Sequence, residues 1–495
     1  MKRILTLILA LCLMLSAFAL ADASDASLVV AVDADYNGLH PANWYTTVEQ
    51  RLNSQIYDTL LRKNYEDPSV LEPRVAESWT VSEDGTCYTF KLRDDVTFHN
   101  GEKLTAADIE FTFETFAASE YQGAVVDGYS HCVIVDDTTI EVHTVSPYAP
   151  FLASLDQMFI ASKNYYETAG EEAFAQAPIG CGPYKWASHN EGDKVTLEAY
   201  EGYYRGPASI KTVTFKVISD VSSMGIGLRT GELDFAEVEP SILSTLQKAD
   251  GVSIAEADQT TFGFITMNIE KEPYNNVKFR QAVNYAIDRQ SIIIAVLEGA
   301  ATENSNLLTP DRMGWSESQK QYSYDPEMAK ALIAECGITT PYDLGTMIIS
   351  EQYKLMAQVV QANLEAVGLT CKIEVMEANA YYERLMGGDF GLTCLQMSLE
   401  GDTQQVSLAL CPEYIGMANN ARYNNPEIAE LFATAVITVD DAERAAIYEQ
   451  IFTIVQEEAV YAILYNPTMF YAYDSNLKLH TLPLEGQYDI YNFAW

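Results

Sequence analysis

The stretch Ala76-Glu-Ser-Trp-Thr-Val-Ser-Glu-Asp-Gly-Thr-Cys-Tyr-Thr-Phe-Lys-Leu-Arg-Asp-Asp-Val-Thr-Phe-His-Asn-Gly101, followed by Thr105-Ala-Ala-Asp108, decides how the chain is read. An extended run over 71–81 meets a turn at Ser82-Glu83-Asp84-Gly85, where Asp-Gly supplies a positive-φ corner. From Thr86 to Arg93 the pattern alternates. Thr86, Tyr88, Phe90 and Leu92 share one face and Cys87, Thr89, Lys91 and Arg93 the other, which predicts a half-buried strand. Asn100-Gly101 makes a second turn, and Thr105 caps a helix that carries Ile109, Phe113 and Phe116.

The same alternation of strand and helix continues outward, giving an α/β chain without internal repeats. Residues 211–268 read as a βαβ unit in which Asp220 caps the helix and Gly231 ends it. Beyond 269 helices dominate. Asn276 precedes one over 277–287, Asp325-Pro326 starts one that stops at Gly337, and another over 355–367 is ended by Gly368. Asp440-x-x-Glu443 resembles a capping box before an apolar stripe from Ile447 to Val455, read as core.

Composition narrows the function. Thirty basic against seventy acidic residues give a net charge of −40, which excludes a nucleic-acid partner on electrostatic grounds. Lys2 and Arg3 precede an apolar run over 4–15, and Ala19-Leu20-Ala21 offers a cleavage site, so residues 1–21 are expected to be a signal peptide. The mature chain is expected to be exported, to the periplasm or the outer face of the cell membrane. Cys12 is buried in the apolar run and no cysteine follows Ala21, so no lipid anchor is expected. The other seven cysteines are odd in number, widely spaced and without a C-x-x-C, which supports neither a disulfide framework nor a zinc site.

Catalytic patterns are missing from the sequence: no H-E-x-x-H, G-x-S-x-G or phosphate-cradling glycine loop occurs. The six histidines match no helical metal pair. His131 and His143 flank one strand-like stretch as possible neighbours and are read as surface residues, and His99 is read as structural in its turn. No catalytic residue, metal ligand or cofactor is assigned.

Taken together, the opening stretch closely resembles the signature of the bacterial extracellular solute-binding proteins, family 5, the peptide- and nickel-type receptors of ABC importers. Gly180-Cys-Gly-Pro-Tyr184, Tyr203-Tyr-Arg-Gly-Pro207, Gly231-Glu-Leu-Asp234, Met267-Asn268, Val277-Lys-Phe-Arg-Gln-Ala-Val-Asn-Tyr-Ala-Ile-Asp-Arg289 and Tyr324-Asp-Pro-Glu-Met-Ala-Lys330 follow in the family's order. The resemblance implies a two-lobed, periplasmic-binding-protein-like clamshell of type II with an extra inserted domain. Lobe I would comprise 22–58, 178–268 and 471–495, the inserted domain 59–177 and lobe II 269–470, with the hinge crossing at Met267-Asn268. It also implies a monomeric receptor that captures a short peptide or similar solute and passes it to the membrane permease subunits of an ABC importer. A ligand-presenting signalling receptor of the same fold is the alternative, with a secreted hydrolase behind it.

The resemblance also suggests a ligand site. Peptide-binding relatives often place an amine-binding carboxylate in a Trp-x-x-Asp stretch after an apolar strand. Here Leu395-Gln-Met-Ser-Leu-Glu-Gly-Asp402 matches, with Met397 in place of Trp, Glu400 where the acid falls and Asp402 as the alternative; a solvated loop acid is the other reading of Glu400. Trp44, Tyr45 and Thr46 lie in a loop where relatives line the cleft, and packing of Trp44 within the lobe is the competing reading. Phe264 is a cleft candidate with a core-strand alternative. The stretch Ile348-Ile-Ser-Glu-Gln352 contains no cation to capture a peptide carboxylate, which leaves longer, modified or cationic cargo open.

Overall fold

The computed structural model describes residues 26–495 except 65, 66, 68, 69, 259, 399, 400, 481 and 483–487. Its centre is a ten-stranded sheet built around Ser27–Val32. That strand lies parallel to Thr212–Val217 on one side and Phe235–Val238 on the other. The helix between those two, Val221–Thr230, starts at Asp220, whose carboxylate accepts from the Ser223 N–H at 2.7 Å, and ends at Gly231 with φ +72°. The predicted βαβ unit is therefore present, with the N-terminal strand inserted between its two strands.

The sheet is carried across the molecule by a 14-residue strand, Tyr461–Asp474. Its sequence is almost continuously apolar, as expected for a strand covered on both faces. Its C-terminal half pairs with Phe235–Val238 and Val252–Asp258, and its N-terminal half pairs with Thr261–Met267. The changeover falls at Asn466-Pro467. There proline brings no ladder N–H, and the Asn466 side chain donates to the Thr261 carbonyl at 2.9 Å while accepting from Asn304 at 2.7 Å. The two halves thus adjoin between strands Val252–Asp258 and Thr261–Met267 and at 466–468 of the long strand. Met267 lies deeper, buried opposite Leu392, and the Asn268 side chain donates to the Gly388 carbonyl at 2.9 Å.

Separate cores flank this crossing. One gathers Leu28, Leu52, Phe159, Tyr184, Val213, Phe235 and Phe493. Two others hold Phe264, Phe452 and Ile463, and Val283, Val360 and Leu464. A further core belongs to the antiparallel sheet of Ala76–Val81, Cys87–Leu92, Thr139–Thr144 and Tyr129–Asp136. Helix Ala106–Ala117 closes it with Ile109, Phe113 and Phe116, all fully buried. In strand Cys87–Leu92 the buried residues are Tyr88, Phe90 and Leu92, the face read from the alternation. Thr105 and Asp108 form a capping box at the helix start. No helix among the described residues is long and apolar enough to cross a membrane.

The quoted motifs meet in space. A Cβ on Gly182 would lie 2.6 Å from the Tyr57 carbonyl oxygen and 2.7 Å from that of Gln55, so only glycine lets the two backbones approach. His99 clamps the same loop. Its Nδ1 accepts from the Gly180 N–H at 3.3 Å and its Nε2 donates to the Gly182 carbonyl at 3.1 Å. Tyr203 and Tyr204 both donate to one Asp58 oxygen, at 2.8 and 2.9 Å, and Asp234 accepts from the Val29 N–H at 2.7 Å. Arg280 and Arg289 are buried guanidiniums that donate to carbonyls, Arg280 to Tyr274 and Glu458, Arg289 to Ile463 and Tyr322.

Candidate functional site

The two crossing segments floor a cavity of about 1970 Å³, which they line with Thr260, Thr261 and residues 466–470. One wall carries Asp33, Gln50, Arg51, Glu237 and Glu239, with Lys63 from the two-stranded sheet of Leu61–Lys63 and Leu71–Pro73 and Tyr88 from the four-stranded sheet. The opposite wall carries Glu303, Arg312, Trp315, Asp402 and Arg444.

The charges on the walls come as pairs. Arg51 is on helix Thr47–Ile56, buried, and ion-paired with Glu237. Its guanidinium lies 4.5 Å from the Tyr488 ring centre. Burial works against its charge, but the neighbouring Tyr488 and Glu237 outweigh that and raise its pKa. Across the cavity Arg444 bridges Asp402 at 3.4 Å and Asp441 at 3.0 Å. Arg312 donates to the Gly401 carbonyl, which ties the loop bearing Trp315 to the segment bearing Asp402. Asp402 caps the short helix Thr403–Val406 by accepting from the Gln404 N–H at 2.8 Å. Burial, then the nearby Asp402 charge, pushes the Tyr448 hydroxyl's pKa far up, so it stays protonated and donates to Gln404 at 2.9 Å. Each wall therefore presents a buried arginine ion-paired with a carboxylate, Arg51 with Glu237 and Arg444 with Asp402.

The predicted ligand residues are dispersed. Asp402 lines the cavity. Glu400 lies outside the described residues. Met397 packs partly buried beside the core that contains Phe264, which is itself 1% exposed. Trp44 is buried, its ring centre 6.2 Å from that of Phe159. Tyr45 points outward and stacks on Tyr121 at 5.4 Å. Thr46 caps helix Thr47–Ile56 in a capping box with Glu49, and the next residue, Thr47, reaches the cavity. Arg51, Glu237, Arg312, Trp315 and Arg444 line the cavity without having been singled out from the sequence. Of these only Trp315, a large aromatic after Gly314 in a polar loop, left a local signal.

The model of the bacterial extracellular solute-binding proteins, family 5, matches residues 70–410. The dipeptide-binding protein of Escherichia coli K12 is 28% identical over 460 residues, 85% of this chain and 86% of that one. Heme-binding protein A of Haemophilus influenzae is 30% identical over 447 residues, 82% and 81% of the two chains. The structure of HbpA2 from Haemophilus parasuis superposes with a TM-score of 0.86 at 24% identity, covering 94% of this chain and 99% of that one. A periplasmic binding protein DppA from Helicobacter pylori, in complex with the peptide STSA, gives 0.73 at 27% identity, covering 92% and 95%.

Proposed function

From the premise that the chain belongs to the bacterial extracellular solute-binding proteins, family 5, and serves as the solute receptor of an ABC importer, we propose that its cargo is a peptide-like solute of several residues. The observation that carries this is the cavity itself. At about 1970 Å³ and lined from both sides of the crossing strands, it exceeds the roughly 300–1,000 Å³ of pockets for small ligands. The relatives whose names specify dipeptide and whose structure holds a tetrapeptide support the same chemistry.

In this reading 22–58, 178–268 and 471–495 form lobe I, 59–177 the inserted domain and 269–470 lobe II. Closure is a population shift, since a ligand touching both walls favours the closed state by the contacts the open state lacks. Asp402 is the carboxylate proposed to face a ligand amine, with Arg444 setting its orientation. The exported chain acts as a monomer outside the cell membrane, freed of residues 1–21.

The test is a thermal-shift screen of the purified chain against peptides of graded length, with the co-purified solute identified by mass spectrometry. Peptides of several residues should raise the melting temperature with concentration. A shift given only by heme, metal chelates or sugars would overturn the proposal for the cargo while leaving the receptor role standing.

A further inference from the structure

A second cluster lies away from the cleft, on the face of the four-stranded sheet opposite its core. Cys87 and His143 are direct cross-strand partners. Glu141, two residues before His143 on the same strand, points to the same face. The Cys87 Sγ is 3.8 Å from the His143 Nε2, and that nitrogen is 3.7 Å from a Glu141 carboxylate oxygen. All three donor atoms lie within 4.8 Å of one another, and all three residues are half-buried. On the far side of His143 its other cross-strand partner, His131, stacks ring on ring, with centres 4.6 Å apart and planes 5° from parallel. That stack fixes the plane of the His143 ring and directs its Nε2 to the thiol and the carboxylate.

We propose that Cys87, Glu141 and His143 form a binding site for a zinc-class divalent cation, with the fourth position open to water. In a tetrahedral zinc site with bonds of about 2.0–2.3 Å, neighbouring ligand atoms are about 3.3–3.8 Å apart, the range of the 3.8 Å Cys87–His143 and 3.7 Å His143–Glu141 spacings. Thiolate, imidazole and carboxylate together suit a borderline metal far better than calcium or magnesium, which take oxygen ligands. On binding, the Cys87 S–H bond breaks, its proton leaves to solvent and the sulfur pair forms the bond to the metal. The thiolate and carboxylate then offset the two positive charges. Burial, and after it Glu141, keeps the thiol of the metal-free protein protonated, which makes it inert as a nucleophile. The described cysteines are all free, so among the described residues no disulfide joins these strands; the metal would link them instead.

No local pattern announces the three-residue site, because its members come from two strands more than fifty residues apart and fit no ligand spacing. The experiment uses the purified full chain, stripped with a chelator, and titrates zinc in competition with a chromophoric chelator. Cobalt then reads the thiolate directly through its sulfur-to-metal absorption. One zinc per chain is expected, with affinity falling at least about tenfold in Cys87→Ser and in His143→Ala, and the cobalt–sulfur band lost in the former. Cys336→Ser changes another half-buried thiol, outside this cluster, and is expected to leave both readouts unchanged. Circular dichroism of each variant establishes that it is folded. Absence of stoichiometric zinc in the wild type, or binding that survives Cys87→Ser intact, would overturn the site.

Discussion

Protonation of His99 should loosen the joint between the opening signature and the Gly180–Tyr184 loop. The ring is held as the Nε2–H tautomer, with Nδ1 accepting from Gly180 and Nε2 donating to Gly182. A proton on Nδ1 would set one donor against another. Burial, with Lys185 nearby as a further adverse charge, lowers the His99 pKa from 6.5 to about 4. The folded state thus prefers the neutral ring, so this contribution is complete above pH 6.5 and declines as the pH falls through the window from 6.5 to about 4. At ~1.4 kcal/mol per pH unit, the full shift corresponds to ~3 kcal/mol, and at about pH 5 to ~2 kcal/mol. His99 keeps some solvent access, which reduces the expected effect to about 1–2 kcal/mol. The assay is urea unfolding of the wild type and His99→Gln at about pH 7.5 and about pH 5. Contributions from the many carboxylates cancel in the double difference. The wild type should lose about 1–2 kcal/mol more than the variant on acidification. Equal losses would refute the assignment of the neutral, clamped ring.

Two further outcomes follow from the same backbone joints. Gly182→Ala pushes a methyl against two immovable carbonyls and should cost about 3 kcal/mol in urea unfolding, whereas Gly387→Ala, with nothing within 4 Å, should change stability by no more than about 0.5 kcal/mol. Arg289→Met strips the Ile463 and Tyr322 carbonyls of their donor and should cost about 3 kcal/mol, with Arg289→Lys recovering less than half because an ammonium cannot reproduce the planar fork.

Local chemistry made the elements legible. The alternation from Thr86 to Arg93, the caps at Thr105 and Asp220 and the proline-started helix at Asp325 each rest on a few adjacent residues whose backbone needs are strict. The cleft has no such local rule. Arg51 finds Glu237, and Arg444 finds Asp402, only through tertiary packing, because the partners lie 186 and 42 residues apart in the chain. Trp44 shows the cost of reading a site from local context. An aromatic in a polar loop suggests ligand contact, yet this ring has a buried partner in Phe159 and its neighbour Tyr45 takes the exposed place. His131 and His143 fall between these cases: one strand-like stretch suggested their proximity, but only the pairing of strands Tyr129–Asp136 and Cys87–Leu92 on either side of Thr139–Thr144 aligns them with Cys87.

The motifs that mark the family therefore answer a different question from the one posed by the cargo. His99 with Gly180 and Gly182, Asp58 with Tyr203 and Tyr204, Asp234 with the Val29 N–H, and Arg280 and Arg289 with their carbonyls all satisfy buried polar groups of the protein itself. An unmade bond at any of them costs the full desolvation of the group left behind, whatever the cavity holds. Wall residues such as Gln50 and Trp315 instead face the cavity, and function is set by such site residues rather than by the frame that holds them. A chain can for that reason declare its receptor class in unbroken stretches of sequence and keep its cargo in the spacing between two lobes.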